Sequence, residues 1–160
     1  MGINGEYYVL TSQEGNPVPR VVNWYGKLDV RKINRRDYRE LPGYVLLDMK
    51  TGTDVVYPDI LDDPVLMVSA EAMQVIKRYE QEMPFLFVAL FDTDREESAA
   101  YYCPVLADAE RDWECREALY RIRTERGSQV RIREDLVESL LDRGAVGMKL
   151  ERIMDAKRES

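Results

Sequence analysis

The stretch SAEAMQVIKRYEQEMPFLFVALFD, residues 69–92, places an amphipathic helix directly before a long apolar strand. Ser69 suits the N-cap, because its hydroxyl can accept a hydrogen bond from the first turn of a helix. Apolar residues then recur at helical spacing until Pro84, which ends the pattern. The stretch therefore predicts a main helix over about 70–83 and a central strand over 85–92 that is buried on both faces.

Shorter apolar runs predict the other strands of the N-terminal and middle parts of the chain. They cover residues 6–11, 20–25, 44–49, 65–69 and 99–108. Pro104 has no amide hydrogen to donate, which indicates that the last of these strands lies on a sheet edge or carries a bulge. Residues 27–42 stay ambiguous between helix and loop, because their apolar positions fit a helical face only in part.

The C-terminal third alternates apolar residues and arginines around a glycine turn. YRIRTERGSQVRIR, residues 120–133, predicts a β-hairpin. Asp135, with a glutamate three residues later, forms an aspartate version of the capping box and predicts a short helix over about 136–142. Gly144 suits the left-handed position that ends such a helix, and residues 145–153 predict a last strand.

This mixed order of strands and helices predicts an α+β fold with a largely antiparallel sheet. It differs from the regular βαβ alternation that builds a parallel sheet. The length of 160 residues, with no internal repeat and no linker, predicts a single domain over residues 1–160.

The composition excludes several classes of function. The chain contains no histidine, so a Ser-His-Asp or Cys-His mechanism would need a second chain. Cys103 and Cys115 do not have a zinc-site spacing, and we expect both to be reduced thiols. The net charge of −7 argues against a nucleic-acid binder, which needs a basic surface, and suits a basic protein partner.

The sequence also predicts the compartment of the protein and the absence of a cofactor or a metal. No apolar run approaches the roughly 18 residues of a membrane span, and the first residues lack the pattern of a signal peptide. We therefore expect a cytoplasmic protein that is not an enzyme and that uses no cofactor and no metal. The basic run over 27–39 is interrupted by Asp29 and Asp37, and we interpret it as a solvated face.

Two acidic clusters are interpreted as turns. DILDDP, residues 59–64, combines aspartates with proline, which is ordinary turn chemistry and not in itself a catalytic carboxylate pair. DTDREE, residues 92–97, lacks the mid-loop glycine of a calcium loop, so we interpret it as a solvated turn.

A third acidic cluster, ADAERDWECRE over residues 107–117, surrounds one tryptophan with alternating acids. One interpretation, which we favour from the sequence, is that Trp113 turns into the core while the acids hydrate the surface. The other is an acidic binding face with Trp113 as an interface anchor. If the chain binds a partner, the expected contacts are Asp108, Asp112, Trp113 and Glu114, with Asp92 and Asp94 as a second patch.

Two longer stretches carry a family resemblance. YPDILDDPVLMVSAEAMQVIKRYE, residues 57–80, has an aspartate–hydrophobic entry, a short strand ending in Val-Ser, and a helix. ALYRIRTERGSQVRIREDLVESLLDRGAVGMKLERI, residues 118–153, has an aromatic strand, a turn, a strand, a short helix and a glycine–hydrophobic last strand. With Asp59, Ser69, Tyr120, Asp135, Leu140 and Gly147 at matching positions, the chain resembles a family of bacterial immunity proteins found beside polymorphic toxins. The resemblance covers roughly residues 55–153 and leaves the first 50 residues outside it.

The resemblance implies a non-enzymatic cytoplasmic protein that binds and neutralises a cognate toxin domain encoded by a neighbouring gene. It carries over no catalytic residue. The alternative is a small regulatory or scaffold module that binds another host protein through a sheet edge, for which residues 99–108 are the candidate. A third class, an enzyme that uses carboxylates with a divalent metal, would be stabilised by that metal.

Overall fold

The computed structural model describes residues 6–15, 17–125 and 127–153. Within these residues the chain forms eleven strands and two α-helices. The strands are β1 (Tyr7–Ser12), β2 (Arg20–Val22), β3 (Tyr44–Lys50), β4 (Ile60–Leu61), β5 (Met67–Val68), β6 (Phe85–Asp92), β7 (Glu97–Pro104), β8 (Asp108–Ala109), β9 (Leu119–Thr124), β10 (Gly127–Arg133) and β11 (Met148–Arg152). The helices are α1 (Ala70–Tyr79) and α2 (Glu134–Asp142).

The strands form two sheets. The first sheet has the order β11-β1-β10-β9-β8, and the second has the order β2-β3-β6-β7-β5-β4. Most neighbouring strands are antiparallel, but β3 runs parallel to β6 and β8 runs parallel to β9. The predicted α+β fold is therefore confirmed, and its sheets are mixed, with these two parallel pairings among mostly antiparallel ones.

Helix α1 begins as predicted and ends earlier than predicted. The Ser69 hydroxyl accepts a hydrogen bond from the Ala72 amide at 3.1 Å, which is the expected N-cap. The helix ends at Tyr79 because Glu80 leaves the helical conformation, and its carboxylate accepts a hydrogen bond from the Ala118 amide at 2.7 Å. Met83 is buried, but it lies beyond the helix.

Helix α2 has a different N-terminus from the predicted one. It begins at Glu134, with Arg133 at the N-cap position and no side-chain cap. Asp135 lies inside the first turn and pairs with Arg133 at 2.8 Å, so the predicted aspartate capping box is wrong. The C-terminal prediction is confirmed, because Gly144 adopts a φ of +80° directly after the helix.

The predicted central strand, 85–92, coincides with β6, and only one of its faces is fully buried. Leu86, Val88 and Leu90 are buried on one side, whereas Phe91 on the other side is 40% exposed. The edge assignment of residues 99–108 is also wrong, because β7 lies between β6 and β5. Pro104 is tolerated there because it is the last residue of the strand.

Three groups of buried side chains hold these elements together. The largest lies between the first sheet, α1 and α2, and includes Leu10, Ile76 and Leu140. The second lies between the buried face of the second sheet and the segment that precedes β3. The third is small and contains Ala109, Tyr120 and Ile122 on the opposite face of the first sheet.

The ambiguous segment before β3 proves to be mostly irregular. It contains two short 3-10 helices, Val30–Lys32 and Tyr38–Glu40, and buries Leu28 and Ile33 against the second sheet. Its mixed apolar pattern therefore reflects isolated anchor residues and not one helical face. In the described ranges, no helix is both long enough and apolar enough to cross a membrane.

Gly147 marks a close approach between the start of β11 and the segment before β4. Its φ is +97°, and a β-carbon at this position would lie 2.5 Å from the Pro58 Cβ atom. Its carbonyl also accepts a hydrogen bond from the Gln13 amide at 2.8 Å. The position therefore requires glycine for two reasons, its backbone conformation and the absence of space.

Candidate protein-binding surface

The third acidic cluster, called here the acidic segment (residues 108–117), covers one face of the first sheet. It starts as β8 beside β9 and continues into a 3-10 helix, Asp112–Glu114. Beneath it lies the third group of buried side chains, with the Tyr7 ring edge-on to the Tyr120 ring at a centroid distance of 5.5 Å. The segment is therefore attached to a rigid sheet.

Asp112 anchors the segment to two buried polar side chains. Its Oδ1 atom accepts a hydrogen bond from the Tyr120 hydroxyl at 2.9 Å and another from the Arg131 Nε atom at 3.0 Å. Tyr120 is fully buried and Arg131 is 2% exposed. Burial, together with the hydrogen bond to Asp112, raises the pKa of Tyr120 far above its usual range, so this hydroxyl remains a donor.

The other carboxylates expected to contact a partner also bind within the chain. Glu114 accepts hydrogen bonds from the amides of Glu110 and Arg111 at 2.9 and 3.2 Å. Asp108 lies 3.5 Å from the Arg121 guanidinium and 3.8 Å from that of Arg123. These carboxylates stabilise the conformation of the segment through contacts within the chain, so their charges are not free to pair with a partner.

Trp113 is the exposed centre of the segment. It is 77% exposed, and the Arg111 guanidinium lies 5.6 Å from the centre of its ring. The favoured interpretation from the sequence, that Trp113 turns into the core, is therefore wrong. The ring points outward because Asp112 and Glu114, on either side of it, are both turned toward the chain's own donors.

The second predicted patch does not form one surface. Asp92 is 3% exposed and accepts hydrogen bonds from the Thr51 amide and hydroxyl, each at 2.8 Å. These hydrogen bonds, the hydroxyl's first among them, hold the pKa of Asp92 below its usual value. Asp94 is exposed and forms an ion pair with Lys50 at 3.2 Å. Only Asp94 is therefore available to a partner.

Two of the three carboxylates of residues 59–64, those of Asp59 and Asp62, are also occupied within the fold. Asp59 accepts hydrogen bonds from the Ser69 hydroxyl at 2.5 Å and the Val146 amide at 2.7 Å. Asp62 accepts hydrogen bonds from the amide and hydroxyl of Ser12. Both aspartates therefore join loops to neighbouring elements, which agrees with the turn interpretation.

The basic run meets the acidic segment across an open cleft of about 730 Å³. Arg35 crosses toward the segment, donating to the Val105 carbonyl at 2.6 Å and pairing with Glu117 at 2.9 Å. Arg36 and Glu110 both line the cleft. Because the walls carry both signs of charge, the cleft has no clear preference for an anion or a cation.

Neither cysteine forms a disulfide, and they differ in access. Cys103 is buried in the second sheet, and burial raises its pKa to about 12. Cys115 is half-buried in the acidic segment. Among the residues that the structure describes, no three cysteine, aspartate or glutamate side chains gather in a way that could hold a metal ion.

Comparison with known proteins adds no assignment. No protein-family model matches the chain, and no curated protein sequence matches it.

Sequence reasoning missed Arg131, which is the buried cation that fixes the segment. In QVRIR, residues 129–133, the alternation placed both arginines opposite Val130 and Ile132 and did not indicate that one of them is buried. One available signal was the acidic cluster itself, because a row of carboxylates that covers a sheet can neutralise an arginine on that sheet.

Proposed function

We propose that this chain is a protein-binding module without catalytic activity, and specifically an immunity protein that neutralises a cognate toxin domain in the cytoplasm. The proposal rests on the resemblance of residues 55–153 to that family. The observation that carries it is Trp113, which is held outward on a segment whose neighbouring carboxylates are anchored.

The geometry suits an interface anchor. Tryptophan and arginine are the residues that contribute most often to binding hot spots, and here Arg111 lies against the Trp113 ring. The segment is already ordered by its hydrogen bonds with Tyr120 and Arg131, so binding would cost little conformational entropy. A pre-ordered aromatic anchor is what tight inhibition of an enzyme requires.

The charge of the chain contributes to the rate of association. A net charge of −7 attracts a basic toxin domain and increases its rate of encounter, and this effect falls as salt rises. Glu110 precedes Trp113 by three residues, is exposed and lines the cleft, so it is positioned to contribute to this attraction. The neutralising step would then be steric, because a protein bound over an active site excludes the substrate.

The test is a pull-down with the polypeptide encoded by the neighbouring gene, at low and high salt. We expect a complex that Trp113→Ala weakens at least about 30-fold, corresponding to roughly 2 kcal/mol at a hot spot. Glu110→Lys should slow association mainly at low salt. Tyr25→Ala is the matched control, because Tyr25 is an exposed aromatic residue elsewhere on the chain. Equal affinity of the Trp113 and Tyr25 variants would reject Trp113 as the anchor.

The alternative is a regulatory or scaffold module that binds a host protein through a sheet edge. The observation that favours it is β11, a five-residue strand at the end of the first sheet. Residues 99–108 no longer support it, because β7 is an internal strand. A well-folded neighbour that forms no complex, together with capture of a partner encoded elsewhere in the genome, would favour this alternative.

A further inference from the structure

The second sheet presents an apolar face to solvent. Side chains alternate across a strand, so the residues beside buried Val45 and Leu47 point to the opposite side of β3. On that side Tyr44 lies opposite Phe87, and Leu46 lies opposite Ala89. Ala89 in turn lies opposite Ala100 on β7. We call this surface the open face; it consists of Tyr44, Leu46, Phe87, Ala89, Phe91 and Ala100.

The open face is exposed across three adjacent strands. Tyr44 is 61% exposed, Leu46 is 53% exposed and Phe91 is 40% exposed. On the same side of β6 and β7, Phe85 and Tyr102 pack against the largest buried group, to which α1 contributes. Three large apolar side chains on one side of a continuous sheet form a patch, and such patches mark sites of association.

Two ion pairs neutralise much of the polar margin of the open face, to which exposed Arg20, opposite Lys50 on β2, adds one positive charge. Lys27 pairs with Asp48 at 3.2 Å, and Lys50 pairs with Asp94 at 3.2 Å. The chain as a whole carries a charge of −7, so most other approaches between two copies bring like charges together. The open face is where two copies can meet with the least repulsion. A basic partner, in contrast, gains attraction from acidic surface and none from this face, which has no excess of negative charge.

We propose that two copies of this chain associate through the open face, with the two second sheets packed against each other. Face-to-face sheets pack about 10 Å apart with interdigitated side chains, and a two-fold axis makes the same patch complementary to itself. This association leaves the acidic segment on the first sheet free for a different partner. It therefore does not depend on the proposed function.

The open face supplies the apolar centre of such an interface and not its whole area. An aromatic side chain buries about 150–250 Å², so the exposed fractions of Tyr44, Leu46 and Phe91 offer on the order of 300 Å² of apolar surface per copy. A stable interface needs about 800 Å² per partner, with an apolar centre and a polar rim. The half-buried residues of the face and its paired margin would supply the remaining contact.

The test is sedimentation equilibrium of the purified chain from about 1 to about 100 μM, a range that brackets a micromolar dissociation constant. We expect a monomer–dimer equilibrium that persists at about 1 M salt, because apolar burial is not screened. Leu46→Asp should weaken dimerisation at least about 30-fold. Leu141→Asp is the matched control, since Leu141 is 54% exposed on α2, and it should leave the dimer unchanged.

A second variant separates a lost interface from a misfolded chain. Tyr44→Lys should also give a monomer, and both variants should retain the wild-type circular dichroism spectrum and urea transition. A wild-type chain that stays monomeric at about 100 μM overturns the proposal. Retention of the dimer in both variants also overturns it, and so does a Leu141→Asp variant that dissociates as readily as Leu46→Asp.

Discussion

Asp112→Ala is the substitution that tests most directly how the acidic segment is held. It removes the acceptor of two hydrogen bonds, from the Tyr120 hydroxyl at 2.9 Å and from the Arg131 Nε atom at 3.0 Å. Both donors stay in place, and Arg131 is 2% exposed. The variant therefore leaves a buried cation that, among the described residues, keeps Gln129 as its side-chain acceptor.

The substitution is expected to lower the free energy of unfolding by about 2–3 kcal/mol. A hydrogen bond to a charged group contributes about 1.5–3 kcal/mol, and one between neutral groups about 1 kcal/mol. Removing one partner of a fully buried ion pair costs about 3–5 kcal/mol. The Asp112 side chain is 43% exposed, so water can reach the vacated position and the loss falls below that range.

Urea unfolding at pH 7, followed by far-ultraviolet circular dichroism, measures this loss. With an m-value of about 2 kcal/mol/M, the midpoint should fall by about 1 M. Asp94→Ala is the control, because the Asp94 side chain is 78% exposed in its pair with Lys50. An exposed pair contributes about 0–1 kcal/mol, so this midpoint should move by less than about 0.5 M.

A double-mutant cycle identifies the cause of the loss. Combining Asp112→Ala with Arg131→Met removes both members of the pair, so the double variant should recover part of the stability lost by Asp112→Ala alone. The reasoning is refuted if Asp112→Ala costs no more than Asp94→Ala. It is also refuted if the two effects in the cycle are simply additive, since the aspartate and the arginine would then be uncoupled.

The remaining predictions concern glycine positions, thiols and acid stability. Gly147→Ala should lower the free energy of unfolding by about 3 kcal/mol or more, and Gly144→Ala by only about 1 kcal/mol, which urea midpoints can compare. Both glycines have positive φ, but of the two only Gly147 lacks space for a β-carbon. A thiol reagent at pH 8 should modify Cys115 first and Cys103 only as the chain unfolds, as followed by mass spectrometry. The pKa of Asp92 is lowered in the folded state, so its stabilisation is present above the unfolded pKa and is lost as pH falls through the folded pKa. The stability difference between wild type and Asp92→Asn should therefore narrow below about pH 4 in acid titrations; a constant difference would contradict the assignment.

The sequence predicted those elements whose cause is local. Four features follow from short patterns and lie where they were expected: the Ser69 cap, the strand over residues 85–92, the hairpin of β9 and β10, and the Gly144 terminus. Residue 126, in the turn of that hairpin sequence, is outside the described residues. Capping, alternation and left-handed glycine are properties of a few neighbouring residues.

The predictions failed where a distant partner decides the outcome. Helix α1 ends early because Glu80 binds the amide of Ala118, which is far along the chain. Helix α2 begins at Glu134, whose amide donates a hydrogen bond to the distant Glu6 carbonyl at 2.8 Å, and Asp135 lies inside the first turn. The division into two sheets, and the parallel pairing of β3 with β6, depend on contacts that no local window contains.

The sequence singled out the acidic segment but not the contacts that its residues form within the chain. Composition identified the acidic segment, but it could not distinguish a carboxylate that awaits a partner from one that binds Arg131. It also could not determine the orientation of Trp113, because one tryptophan among acids satisfies both a buried and an exposed pattern. The sequence did not predict the open face, because the strongly apolar run over residues 85–92 is typical of a strand covered on both sides.

The position of β1 has a consequence for synthesis on the ribosome. This N-terminal strand is internal to the first sheet, and both of its neighbours, β10 and β11, come from the last part of the chain. At about 5–20 residues per second, the nascent β1 spends on the order of ten seconds before any native neighbour exists. The second sheet draws on residues 20–104 and can be completed in that interval. Translation thus imposes a sequence of assembly in which β1, although made before the other described strands, is among the last of them to be paired.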